Sequence, residues 1–276
     1  MVRARMTPWR RLPSLGRLRS LGRLRATLVY GTILVAVTSA LVALGPEAQA
    51  RAVERASTNL HNLGHGHVGT LLGSAFVVDA GPIALWLPGL LCLLGLAESM
   101  WGSMHLIYAF VTGHVGATLL VAIGLTAAVA SGWTSAEITR ATDVGTSYGA
   151  AAVLGALAVA VPGRWRPAVI GAWLGVGVAA VAVGRDFTDV GHALALVLGM
   201  AMATRFGAPA AWTGWRWAVL GVASWFGFLM LAGTVEAMVA AVACGTAGAV
   251  VAGALTATRR AHSGATRDQC GATPRI

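Results

Sequence analysis

Eight apolar stretches, at about residues 27–45, 82–100, 104–130, 146–162, 166–184, 190–205, 215–233 and 236–257, dominate the chain and leave few folds open to it. Each comes near the roughly 20 residues that a helix needs to cross the hydrocarbon of a bilayer. Inside lipid a backbone has no water to bond with, so such segments must satisfy their own amides and carbonyls as helices. The chain as a whole is 57% apolar and only 11% charged, whereas a soluble enzyme carries about a quarter charged residues. Soluble globular folds, disorder and collagen are thereby excluded, and the expected fold class is all-α, a polytopic membrane helix bundle.

The charge pattern orients the bundle. The formal charge of +10 rests on twenty basic residues, all of them arginine, with eight before residue 26. Arg164 and Arg166 follow the fourth stretch, Arg205 and Arg216 the sixth, and Arg259, Arg260, Arg267 and Arg275 the eighth. The intervening loops hold only Arg51 and Arg55, then Arg140, then Arg185. By the positive-inside rule both termini are expected in the cytoplasm, which eight spans allow. Arginine crowded against an apolar span reads as orientation, so no nucleic-acid partner is expected. Residues 14–25 write the hexamer SLGRLR twice, which suits a basic arm held against anionic lipid headgroups. Ala48-Gln49-Ala50 has the small-x-small form of a signal cleavage site and Arg10-Arg11 hints at a twin-arginine signal, but the apolar run is long for a signal peptide. The expected organisation is a cytoplasmic arm over 1–26, a six-helix core over 27–205, two added transmembrane helices over 206–257 and a cytoplasmic tail over 258–276. Its expected location is a bacterial cell membrane. Cys92, Cys244 and Cys270 are scattered, so no disulfide framework follows.

The long loop at 46–81 holds His61, His65 and His67 with no acidic or thiol partner near them, and is expected to dip into the interface rather than to bind metal. Within the spans, each ionisable or strongly polar side chain asks for a partner or a task. Glu98 and His105 fall where the second and third stretches meet and can reach each other or the headgroups, a structural role. His114 sits in mid-span and is expected to pack against a neighbouring helix. Ser147 and His192 stand apart. Ser147 follows Asp143 by four residues and His192 follows Asp189 by three, so both lie about one turn below the same surface. Small residues recur from each, through Ala151 to Gly155 and through Ala195 to Gly199, and such ridges let membrane helices pack backbone to backbone. A neutral imidazole beside a serine hydroxyl can act as its base, the minimum for acyl transfer.

Gly145-Thr146-Ser147-Tyr148-Gly149, with Gly155 eight residues after the serine, resembles the fourth-span serine motif of rhomboid intramembrane proteases. Gly191-His192 through Gly199 resembles their sixth-span histidine motif, and Glu98 with Gly102 resembles the turn that ends their second span. The resemblance covers about residues 27–205, the six-helix core. It implies Ser147 and His192 as a catalytic dyad, with Gly145, Tyr148 and Gly149 as motif or oxyanion support and Ala151, Gly155, Ala195 and Gly199 as packing positions. It implies no metal and no organic cofactor. The chain departs from the pattern where Tyr148, not glycine, follows the serine. Pro82 and Trp86 stand where the family's oxyanion-supporting side chains are expected, and the arginine expected near Val68 and Gly69 is absent. The resemblance therefore implies either a serine protease cleaving a transmembrane substrate near the outer face or an inactive relative that binds client helices. A transporter fits less well, because the spans show no charged residues at mid-depth and no inverted repeat.

Overall fold

The computed structural model describes residues 24–78 and 83–271, with side chains of the last helix described to Arg259. The basic arm, Pro82 and the tail beyond 271 lie outside the described residues. All eight apolar stretches are helical. They form α1 (Arg25–Leu44), α5 (Ile83–Trp101), α6 (Ser103–Ala130), α7 (Ser147–Ala160), α8 (Arg166–Gly184), α9 (Phe187–Ala203), α10 (Gly214–Leu231) and α11 (Val235–Gly271). Between α1 and α5 the loop carries three short helices, α2 (Pro46–Ala56), α3 (Leu60–Gly64) and α4 (Thr70–Gly73).

Six of the eight are long and apolar enough to span a membrane, while α7 and α9 are shorter. At 1.5 Å per residue the 14 residues of α7 cover about 21 Å, well below the roughly 30 Å of a hydrocarbon core. Such a helix cannot face lipid at both ends, and 12 of its 14 residues are buried by its neighbours. Thus α7 is the central post of the bundle, packed against α5, α6, α8, α9 and α10.

Glycine sets how close these helices come. A Cβ at Gly199 would lie 1.8 Å from the carbonyl oxygen of Ala152, and one at Gly155 would lie 2.1 Å from that of Leu196. The backbones of α7 and α9 are therefore in direct contact, with Ala151 and Ala195 fully buried beside them. The same device joins α8 to α11, where a Cβ at Gly171 or Gly175 would meet the carbonyl oxygen of Gly248 or Cys244 at 2.2 or 2.1 Å.

Glu98 is buried at the junction of three helices. Its carboxylate accepts from the amides of Ala26 and Thr27 at 2.9 Å each, from the Thr27 hydroxyl at 2.6 Å and from the Ser103 hydroxyl at 2.5 Å. It thereby caps the open amides at the start of α1, where a negative charge also suits the helix dipole. Gly102, at φ 87°, makes the turn that brings Ser103 back to it. His105 does not pair with Glu98, as one sequence reading allowed. Its Nδ1 bonds to the Trp101 carbonyl of the preceding turn at 2.9 Å, because the amides of α1 and the Ser103 hydroxyl already occupy the carboxylate.

Candidate functional site

The serine helix starts below the surface because its preceding loop is tied down. After the 28-residue α6 the chain returns through residues 141–146 without helix. There the amide of Thr58 donates to the Asp143 carbonyl, the amide of Asp143 to Ser57 Oγ and the amide of Gly145 to the Ser74 carbonyl, each at 2.9 Å. Gly145 stands at φ 118°, a conformation that a side chain resists. Ser74 is itself held, its hydroxyl lying 3.0 Å from both Thr58 Oγ1 and His114 Nε2. His114 thus anchors the long loop, and its ring also lies 6.5 Å from that of Tyr148 on the neighbouring α7. A second contact joins the expected one between helices, because the loop reaches down far enough to offer Ser74 to the buried imidazole. Burial, and then the charge of Asp186, push the Asp143 carboxyl up to about 6.

Ser147 is the first residue of α7, and no side chain caps that helix. The first amide of this turn to find a backbone acceptor is that of Ala150, bonded to the Thr146 carbonyl at 2.9 Å. Among the described residues those before it have no backbone acceptor, and they carry the positive end of the helix dipole. Ser147 opens on a cavity of about 690 Å³ that Gly145, Thr146 and His192 also line. Its walls are apolar, from Trp86 and Gly89 on α5 and from Trp225, Phe226 and Met230 on α10.

His192 is 7% exposed, and neither ring nitrogen has a hydrogen-bond partner among the described residues. Ser147 and His192 therefore share a cavity without a hydrogen bond between them. The imidazole instead meets the ring of Tyr148 edge to face, with centroids 5.3 Å apart and planes at 81°. Gly191 makes room for that ring, since a Cβ there would lie 2.3 Å from Tyr148 Cζ. Gly149 serves packing on the opposite side, where a Cβ would strike the Phe110 ring at 2.5 Å. Trp86 brings an aromatic wall rather than a donor of the expected kind.

On the loop, His61 and His65 share a face, with ring centroids 4.3 Å apart. Among the described residues no three His, Cys, Asp or Glu side chains gather as metal ligands. Sequence reasoning passed over Thr146, buried at the cavity, and the whole α10 wall. Nothing local to residues 222–230 signals that they face a serine some 75 positions earlier.

A short buried helix opening with serine, a histidine from a second helix beside it, and an acid-and-glycine turn after the second long span together match one known architecture. The chain belongs to the rhomboid-like proteins, whose family model matches residues 21–210. No curated protein and no solved structure matches the chain.

Proposed function

We propose that this protein is a serine-type intramembrane protease that cuts a transmembrane substrate at the level of Ser147. The observation that carries the proposal is that Ser147, on the uncapped start of α7, and His192, buried with both ring nitrogens unpartnered, open onto one cavity. Ser147 Oγ attacks the scissile carbonyl as His192 takes its proton, and the imidazolium then gives that proton to the departing amine. Water, activated by the same imidazole, releases the acyl group from Ser147. The negative oxygen of each tetrahedral intermediate sits at the backbone amide of Ser147, at the start of α7. A single oxyanion donor is worth roughly 3–4 kcal/mol. Forming the dyad requires the imidazole to move from the Tyr148 ring to Ser147 Oγ as substrate seats, in keeping with looser catalytic contacts before substrate binds. The chemistry uses no metal or organic cofactor.

With the arginine pattern setting both termini in the cytoplasm, the cut falls near the outer face, and the basic arm rests on anionic headgroups. The test is labelling of the purified protein by a fluorophosphonate, comparing wild type with Ser147→Ala and His192→Ala. Labelling lost in both variants supports the dyad; labelling that survives Ser147→Ala refutes it. A second reading, an inactive rhomboid-like protein that binds client helices, is favoured by the Tyr148 ring lying against His192 where the dyad needs a hydroxyl. No labelling of the wild type, under conditions where an active rhomboid reacts, decides for it.

A further inference from the structure

The end of the bundle away from Ser147 carries arginines that have no counterion. Arg164, Arg166, Arg205 and Arg216 lie there, and among the described residues none of them pairs with a carboxylate. The acids on this side of the chain are Glu98 and Asp268. Glu98 is already filled by donors from α1 and by Ser103, and Asp268 lies far along α11, where side chains are not described.

Two of the four arginines are fastened at one place, the C-terminal end of α7. Arg166 Nε donates to the Val161 carbonyl at 3.2 Å, and the preceding carbonyl, of Ala160, takes the Trp212 indole N–H at 3.0 Å. Four residues after Trp212, Arg216 donates from Nη1 to the Ala211 carbonyl and from Nη2 to the Ser99 carbonyl, the latter at 3.1 Å. Those bonds fix the guanidiniums without using them up. Arg216 Nε is buried with no acceptor, and neither Nη of Arg166 has one among the described residues. Carbonyls hold a cation in place but leave its charge unbalanced. Arg216 stands beyond residue 210, where the family match ends, so its meeting with Arg166 comes from the added helix α10.

The nearby indoles give the depth. Trp165 and Trp215 are each 54% exposed, and Arg164 and Arg216 lie over their rings, with Cζ 5.6 and 5.3 Å from the centroids. Exposed tryptophan on a membrane helix marks the level of the headgroups. Guanidiniums at that level meet lipid phosphates.

We propose that Arg166 and Arg216, at the junction of α7 and α10, form a binding site for the phosphodiester of an anionic phospholipid. Each guanidinium offers a planar fork of N–H donors that matches a pair of phosphate oxygens. A net-negative headgroup is selected over a zwitterionic one, because the surplus positive charge at this end repels a choline or ethanolamine ammonium. By the arginine pattern the lipid comes from the cytoplasmic leaflet. The site stands at the far end of α7 from Ser147 and binds whether or not that serine reacts.

The test uses the full chain in phosphatidylcholine nanodiscs doped with one of two probes, a phosphatidylglycerol or a phosphatidylcholine, each with a photoreactive diazirine next to the headgroup. The phosphatidylglycerol probe is expected to give adducts that map to residues 160–166 and 211–217, with a yield at least fivefold above that of the choline probe. Arg166→Gln together with Arg216→Gln is expected to lower that yield at least tenfold, while adducts on the basic arm, residues 1–26, stay unchanged. Equal yields from the two probes, a yield unmoved by the glutamine pair, or adducts confined to the arm overturn the proposal. Should the pair fail to fold, Arg166→Gln alone is expected to lower the yield about fivefold, the worth of one basic residue at an anionic surface, and an unchanged yield counts against the site. Inorganic phosphate at about 10 mM, added at constant ionic strength, separates the two sources of phosphate. Adducts that persist support a lipid site, and adducts that vanish overturn it in favour of free phosphate.

Discussion

Adding one methyl group to Gly199 provides the sharpest test of how the serine and histidine helices are held together. In Gly199→Ala the new Cβ falls 1.8 Å from the carbonyl oxygen of Ala152 and 2.5 Å from its carbon. Both atoms belong to the backbone of a helix buried on nearly every side, so no rotamer change relieves the contact. The helices must part by about 1.5 Å to reach ordinary separation, and a radial gap of 0.5–1 Å already forfeits a quarter to a half of a dispersion well. The cost is expected near the upper end for overpacking, about 3 kcal/mol. That corresponds to a fall of roughly 6–12 °C in thermal midpoint for a domain of this size. The same substitution elsewhere provides the controls. At Gly116 the nearest atom is Leu198 Cδ1 at 3.1 Å, the end of a flexible side chain, and little change is expected. At Gly124 nothing lies within 4 Å, and the gain in helix propensity predicts a change of about 0 to 1 kcal/mol in the stabilising direction. Tryptophan fluorescence during heating in one detergent measures all three. A midpoint for Gly199→Ala within 2 °C of wild type would refute direct backbone contact between α7 and α9. Labelling of Ser147 by fluorophosphonate is expected to fall with stability, since His192 rides on the displaced helix.

Glu98→Ala strands the amides of Ala26 and Thr27, and at about 1–3 kcal/mol for each unsatisfied donor a loss of about 2–6 kcal/mol is expected. Glu98→Gln, which keeps one acceptor oxygen, should lose less, and hydrogen exchange at the first turn of α1 checks both. His114→Leu removes the partner of Ser74 and is expected to cost about 1–3 kcal/mol in thermal stability while leaving fluorophosphonate labelling of Ser147 intact; lost labelling in a folded variant would make His114 a participant in the chemistry. Asp143, whose carboxyl is raised to about 6 in the folded protein, favours the fold fully when protonated below about pH 4 and loses that contribution as pH rises through 6. Wild type is therefore expected to melt higher at pH 5 than at pH 7.5, by an effect worth about 1.4 kcal/mol, and Asp143→Asn should flatten that difference. An equal pH dependence in the variant would show that another group is responsible.

These expectations separate what a one-dimensional reading can see from what it cannot. The spans were legible because lipid imposes a length and an apolarity that show in any window of residues, and Ser147 and His192 were legible because polar groups are rare within them. Glu98 read as structural for the same reason, although its partners on α1 lie some 70 residues away and carry no local signal. The docking of Ser74 to His114 was invisible, since nothing near Ser74 in the chain marks it as the partner of an imidazole 40 residues on. Tyr148 is the instructive case, because its place after Ser147 marks a departure from the motif while the ring contact it makes is set by a helix more than forty residues on. Successive residues on a helix point about 100° apart. If the hydroxyl of Ser147 faces the cavity, the next side chain must turn toward a neighbouring helix, and here that neighbour is α9. A glycine at that position would leave the imidazole free to approach the serine. A tyrosine fills the room left by Gly191 and places its ring edge to face with His192. On the proposed protease reading, the residue that departs from the family's motif sits at a contact that must loosen before the dyad can form. On that reading the imidazole must leave the ring of Tyr148 for Ser147 before the serine can react.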